Sequence, residues 1–356
     1  MLDQLAMPII QGPMLGVSDW RMAAAVSNVG GLGSLAGAGL EAQHLRQAIL
    51  DLRAATSKPF LVNIFVLDPV SPDPAVVAEA MERLRPWRAR YNLPPQVAPQ
   101  KWAEDFAEQF AVLLETAPPV VSFTFGALKT DQVAALQARG CYVIGTATTL
   151  AEARIWAAAG ADAICAQGFE AGGHRGTFLG EVADSLVGTL ALTRSIVTAL
   201  KIPVIAAGGI TDGATVAAAL ALGASAVQAG TAYLLSDESP ISATWRNAIE
   251  TAGDDATRLT RVISGRHARG INNEFMQALL PQEAEIPAYP VQNALTQELR
   301  AAAAKANSPD VLSLWAGQSY ALVKSGPAGE ITQNLWRDAV HALASTAQAA
   351  ATRSTR

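Results

Sequence analysis

Residues 203–234 read PVIAAGGITDGATVAAALALGASAVQAGTAYL. An apolar run, PVIAAGGI at 203–210, ends in paired glycines. TDGATVAAALALGA then carries a helical pattern behind Thr211-Asp212-Gly213, and SAVQAGTAYL at 225–234 is a second apolar run. Continuous apolar runs of this length suit parallel strands buried on both faces. A strand, a tight turn, a helix and a second strand make one βα repeat. If that unit recurs along the chain, the fold is α/β.

It does recur. Comparable runs are PIIQGPM (8–14), GLGSLAGA (31–38), PFLVNIFVL (59–67), VVSFTFG (120–126), YVIGTAT (142–148) and ADAICAQG (161–168). Helical patterns such as DWRMAAAVSNV, EAQHLRQAILDLRAA, TDQVAALQARG and LAEARIWAAAGA lie between them. Ser18, Thr130, Thr149 and Thr211 stand where N-caps belong, and Gly follows near the helix ends. Eight strand candidates alternating with helices predict a (β/α)8 TIM barrel, with an open doubly wound sheet as the rival. The stretch 68–119, with DPVSPDP and RYNLPPQVAPQ, reads as an insertion after strand 3 carrying two helices. The stretch 169–202 holds a glycine-rich loop and a helix near 186–200. Residues 1–239 and 328–356 are expected to form the barrel, and 240–327 a mostly helical cap. A last helix over about 330–350 returns onto the barrel, and the tail ATRSTR is expected to fray.

With 50% hydrophobic and 16% charged residues and a mean hydropathy of +0.22, the chain has the balance of a globular protein rather than a disordered one. A net charge of −5 without a Lys/Arg run gives no sign of nucleic acid or an anionic membrane surface as partner. No apolar stretch reaches membrane-spanning length and no leader pattern opens the sequence, so the cytoplasm is the expected location. Cys141 and Cys165 sit in apolar strand-like surroundings and read as buried thiols. No His/carboxylate spacing suggests a metal, and no G-x-S-x-G suggests a serine hydrolase. Monomer and homodimer both remain open.

GLGSLA at 31–36 matches G-x-G-x-x-A, but it follows a helical segment and reads as a strand, against a dinucleotide fingerprint. The AAGGI turn, with Gly208 and Gly209, and the QAGT turn (228–231) end consecutive strands where barrels of this kind hold phosphate. Backbone N–H groups near a helix start attract an anion, and glycine lets it approach. Asn63 interrupts an apolar strand and Gln167 ends another, both at the face that carries active sites. An amide offers a donor and an acceptor together, which suits the mixed edge of a flavin ring; a neighbouring backbone group would satisfy it as well. In EAGGHRG (170–176), Gly172 and Gly173 let a loop fold tightly, and His174 behind them reads as a base or an electrostatic anchor.

QGPMLGVSDWRMAAAVSNVGGLGSLAG, KPFLVNIF, ADAICAQGFEAGGHRGTF, IPVIAAGGI and AVQAGTAYL together resemble the nitronate monooxygenases, formerly 2-nitropropane dioxygenases. The likeness covers about residues 5 to 236 and resumes in SGRHARGINNEFM (264–276), YPVQNALTQELR (289–300) and LWAGQSY (314–320). It implies an FMN-dependent barrel flavoprotein. Gly208 and Gly209 with Gln228, Ala229, Gly230 and Thr231 would take the phosphate. Asn63, Gln167, Gly172 and Gly173 would contact the rest of the cofactor, with Met14 under the ring. His174 matches the catalytic histidine, and Gln318, Tyr320 and Lys324 would line the pocket from the cap. The implied reaction is oxidation of an alkyl nitronate by O2 to a carbonyl compound and nitrite, with propionate 3-nitronate the expected target and other nitronates open. Related flavin barrels that share EAGGH and AAGGI imply the alternative, an NAD(P)H-dependent reductase of an enoyl or quinone substrate. A non-redox barrel for a sugar phosphate and a flavin carrier without turnover complete the field.

Overall fold

The computed structural model describes residues 1–354. Eight parallel strands form one sheet: β1 Ile9–Gln11, β2 Gly33–Ala36, β3 Phe60–Phe65, β4 Val120–Thr124, β5 Tyr142–Ala147, β6 Ala163–Gln167, β7 Val204–Ala207 and β8 Ala226–Ala229. β8 pairs with β1 in the register Ile9↔Val227. The remaining seam closes between β1 and Leu32, where Gln11 N donates to Leu32 O at 3.0 Å and Leu32 N to Ile9 O at 2.9 Å. The sheet is therefore a (β/α)8 barrel, not an open doubly wound sheet. All eight strands fall inside the apolar runs that announced them.

Strand residues alternate between two environments. Ile10, Leu32, Leu61, Val120, Ile144, Cys165, Ile205 and Ala226 share one cluster, and Leu2 and Leu5 of the N-terminal segment close it from one end. A short 3₁₀ turn, Leu2–Gln4, carries this stopper. Intervening strand residues such as Val62, Val121, Val143 and Ile164 pack instead with helix residues including Leu45, Ile49, Leu113, Leu136 and Trp156. Cys141 and Cys165 are free thiols, and burial pushes them up to about 11 and about 12.

The N-cap expectations hold at Thr149, whose hydroxyl accepts from Glu152 N at 3.2 Å. Elsewhere the cap is one residue away. Asp19 caps helix Trp20–Asn28 and Asp212 caps helix Gly213–Ala221, while helix Thr130–Ala138 starts behind Lys129. Asp19 Oδ1 accepts from Arg21 N and Met22 N and Asp212 Oδ1 from Thr215 N, while the Ser18 hydroxyl is drawn into a turn with Met14.

Of the two helices expected in 68–119, Phe106–Thr116 takes its place in the barrel's outer ring against helix Ala42–Ala55. The other, Pro74–Arg90, packs on helix Val291–Lys305, fixed by the Arg88–Glu298 ion pair at 2.9 Å. The helix expected near 186–200 is Thr189–Ala199. Helix Ala328–Ser354 lies on helices Gly213–Ala221 and Trp20–Asn28 and stays helical into the stretch expected to fray; Thr355 and Arg356 fall outside the described residues.

The stretch 240–327, expected as a mostly helical cap, holds helices Ala243–Thr251, Glu274–Leu279 and Val291–Lys305, and also a small sheet that sequence patterning did not reveal. Strands Thr257–Thr260 and Ala268–Ile271 pair antiparallel, and Gly173–His174 from the loop after β6 adds a third strand. Barrel residues Val227 and Ile210 share a hydrophobic cluster with Val262, Ile263 and Leu295 of the cap. No helix among the described residues is long and apolar enough to cross a membrane.

Candidate active site

A cavity of about 430 Å³ lies where the C-terminal ends of the barrel strands meet the cap. Its barrel wall includes Met14 after β1, Asn63 of β3, Gln167 of β6, Gly208 and Gly209 after β7, Gln228 of β8, and Gly230 and Thr231 beyond it. The loop after β6 adds Gly172, Gly173 and His174. Thus the structure gathers all but one of the expected cofactor residues on one wall. Ala229 is the exception: it is buried, and its contribution is a carbonyl oxygen that accepts from Gly12 N at 2.7 Å.

At one side of the cavity the backbone supplies donors. Gly208 and Gly209 have φ of +108° and +70°, a conformation that only glycine adopts cheaply. The amide hydrogens of Gly209, Gly230 and Thr231 have no acceptor among the described residues. Helix Gly213–Ala221 starts just beyond. The cap closes over these turns: Gly317 N donates to Thr231 Oγ1 at 2.9 Å, and Thr211 and Ser319 hydroxyls meet at 2.5 Å. Met14 packs its thioether against Gly230.

The two amides singled out in the sequence differ. Asn63 uses Nδ2 on Ser122, 2.9 Å to Oγ and 3.2 Å to the carbonyl, and its Oδ1 has no donor among the described residues. Gln167 is committed at both ends. Nε2 donates to His174 O at 3.0 Å, and Oε1 accepts from Gly176 N at 2.8 Å. Its side chain ties β6 to the loop. Gly172 also serves the protein itself, because a Cβ there would come within 2.5 Å of Gly317 N. Arg175, fully buried, holds the same loop through the carbonyls of Gln167, Gly168 and Ser185.

His174 sits in a ring of aromatic side chains. Phe125, Tyr289 and Trp315 have ring centroids 5.7, 5.6 and 5.5 Å from the imidazole. Nε2 lies 2.8 Å from Ser264 Oγ. Burial pushes the imidazole down to about 3, and the cations Arg266 and Arg300 add to the effect. The ring is neutral at neutral pH and so carries no charge of its own. His44 and His341 are exposed, away from the site.

Arginine supplies the charge. Arg300 lines the cavity, donating to Ser313 Oγ at 3.1 Å and to the carbonyl and Oδ1 of Asn293 at 2.9 Å each. Burial pushes its guanidinium down to about 10, so it remains cationic. Arg300, Arg266, Arg175 and Arg269 form no ion pair among the described residues. Arg266 instead lies 3.9 Å over the Phe125 ring. A buried cation held only by neutral oxygens is poised for an anion.

The cap residues on the wall are Trp245, Tyr289, Asn293, Arg300, Ser313, Trp315 and Ser319. Gln318, Tyr320 and Lys324, expected there, are not. Gln318 is exposed, its N–H donating to Glu170 O at 3.0 Å. Tyr320 turns its hydroxyl to the loop at 253–256, accepting from Ala256 N at 3.1 Å and donating to Gly253 O. Lys324 is exposed. A helical signal was available for two of the true wall residues, because Asn293 and Arg300 are two turns apart on one helix face.

The nitronate monooxygenase family model matches residues 1–338. A nitronate monooxygenase of Pseudomonas aeruginosa is 46% identical over 332 residues, covering 92% of this chain and 95% of the relative. Among solved structures, a nitroalkane oxidase from Streptomyces ansochromogenes superposes with a TM-score of 0.90 at 39% identity, over 97% of this chain and 99% of that one. FabK from Thermotoga maritima follows the same course with a TM-score of 0.76 at 30% identity, over 98% and 97% of the two chains.

Proposed function

The chain belongs to the nitronate monooxygenase family of flavin-dependent oxidoreductases, and on that premise we propose that it oxidises alkyl nitronates with O2 to a carbonyl compound and nitrite on bound FMN. In this reading 1–239 and 328–356 form the flavin-binding barrel, and 240–327 the cap that meets the substrate. One observation carries the reading: a neutral histidine and an arginine without an ion pair among the described residues line the same cavity as the turns whose amide hydrogens have no acceptor there.

The residues suit FMN. The amides of Gly209, Gly230 and Thr231 would take its phosphate, supported by the start of helix Gly213–Ala221. Asn63 and Gln228 would meet the polar edge of the ring, and Met14 its apolar surface. A volume of about 430 Å³ lies in the usual range for small-ligand sites. When bound, FMN supplies the electron transfer that links nitronate oxidation to O2.

The protein's part is acid–base chemistry and placement. His174, neutral and held at Nε2, takes the α-proton of a neutral nitroalkane and so generates the nitronate inside the site. Arg300 offsets the negative charge of the bound anion. In propionate 3-nitronate the carboxylate would find this guanidinium. Phe125, Tyr289 and Trp315 keep bulk water from the imidazole.

The likeness to FabK keeps an NAD(P)H-dependent reductase of an enoyl or quinone substrate as the second reading. One experiment separates them: the visible spectrum of the purified protein, followed by O2 uptake with nitronate and anaerobic mixing with NADH. Nitronate-dependent O2 uptake with little bleaching by NADH is the expected result. Rapid bleaching by NADH without nitronate turnover would install the reductase, and a colourless protein that takes up no FMN would overturn both.

A further inference from the structure

A neutral imidazole carries one N–H and one lone pair, and a base needs the lone pair on the side of its substrate. Which nitrogen keeps the proton is decided by the group that holds the other. His174 Nε2 lies 2.8 Å from Ser264 Oγ, and Nδ1 has no hydrogen-bond partner among the described residues. Ser264 Oγ in turn lies 3.1 Å from the carbonyl oxygen of Arg266. A carbonyl only accepts, and Arg266 O has no other donor among the described residues, so the hydroxyl proton goes there. The hydroxyl oxygen is then the acceptor, and Nε2 is the nitrogen that bears hydrogen. Ser264 is buried, 1% exposed.

The surroundings hold this arrangement still. His174 pairs with Ala268 in the small sheet, its carbonyl accepts from Gln167 Nε2, and Arg175 N donates to His267 O at 2.8 Å. Ser264 and Arg266 lie on the turn that leads into strand Ala268–Ile271, so one segment of the cap fixes both the backbone and the ring of His174. The titratable and charged groups around the imidazole are Arg266 from that turn, Arg300 from helix Val291–Lys305 and Tyr289 ahead of it. Arg266 spends its guanidinium on Arg175 O, at 2.9 Å, and Thr177 O. Neither cation can accept a proton from the ring, and Ser264 Oγ is the hydrogen-bond partner of the imidazole among the described residues.

We propose that Ser264 is a positioning residue that holds His174 in the Nε2–H form, leaving Nδ1 as the nitrogen that takes the substrate proton. This rests on the reading of His174 as a base. The competing account makes Ser264 a turn residue whose hydroxyl merely braces Arg266, whose N–H lies 3.5 Å away.

Nitrogen-15 spectra of the holoenzyme with ring-labelled histidine decide between them. The wild type is expected to show a protonated Nε2 and an unprotonated Nδ1 at His174, Ser264→Thr to keep that signature, and Ser264→Ala to lose it. In parallel, Ser264→Ala should lower the ratio of neutral nitroalkane to preformed nitronate turnover by about tenfold, the scale of one hydrogen bond, because only the former needs the base. Ser264→Thr should restore the ratio. A protonated Nδ1 in the wild type overturns the proposal without any variant. So does a Ser264→Ala protein whose ring signals and turnover ratio match the wild type while its Tm falls, which is the turn-residue outcome. A wild type that turns over no nitronate at all would sink the functional reading and leave the tautomer result to stand by itself.

Discussion

The side-chain amide of Gln167 donates to the backbone carbonyl of His174 at 3.0 Å and accepts from Gly176 N at 2.8 Å. A single residue at the end of β6 thus grips the loop on both sides of the imidazole. Replacing it by leucine strands two part-buried backbone groups, at a cost of about 1–3 kcal/mol. Gln167→Leu is therefore expected to lower Tm and turnover together while FMN content stays near that of the wild type. Loss of FMN with an unchanged Tm would reassign Gln167 to the cofactor.

His174 links the site to acid stability. Its pKa is about 3 in the folded protein against an ordinary 6.5. Between those values the unfolded chain binds a proton that the folded one refuses, so stability falls as pH drops below about 6.5 and levels off near 3. Above that window the group adds no pH dependence. In thermal melts the wild type should lose more Tm between neutral pH and acid than His174→Gln does. Parallel curves would mean that the imidazole is solvated.

Arg300 sets charge preference in the proposed reaction. Removing one charge-assisted contact costs about 1.5–3 kcal/mol, or roughly ten- to a hundredfold. Arg300→Met should raise KM for propionate 3-nitronate by that factor. KM for a plain alkyl nitronate should rise less, because it has no carboxylate to lose. Equal losses for both would place Arg300 on the nitronate group itself.

Gly209 tests the amide cradle. Its φ of +70° costs a residue with a Cβ about 1–2 kcal/mol, and that Cβ would come within 3.3 Å of Glu170. Gly209→Ala should weaken FMN binding by about tenfold, read from quenching of flavin fluorescence, with the far-ultraviolet circular dichroism unchanged. Undiminished affinity would remove the β7 turn from the cofactor site.

The barrel was legible because its strands are short, continuous and apolar, from Ile9–Gln11 to Ala226–Ala229, and local sequence suffices to mark them. The glycine turns were legible for the same reason. The sheet that carries Gly173–His174 was not, since a two-residue strand has no periodicity and its partner, Ala268–Ile271, lies far along the chain. The cap wall was misread in part. Gln318 and Tyr320 flank Ser319, which does face the cavity, and in an irregular segment no period says which of three neighbours turns inward. Arg300, the last residue of YPVQNALTQELR, carries no local mark of burial, because tertiary packing is what encloses it. Ser264, in SGRHARG, has no mark that separates a turn serine from a partner for an imidazole ninety residues away.

The shared sheet limits how such proteins can be re-engineered. Grafting another relative's lid onto this barrel to change substrate range would look like a modular swap. Yet the strand Ala268–Ile271 travels with the lid, and with it the pairing that seats His174. A chimera joined anywhere between 240 and 327 without regard to that pairing would trade away its reaction centre along with its selectivity. Recombination points that keep 257–271 with the loop at 168–178 as one inherited block avoid that loss.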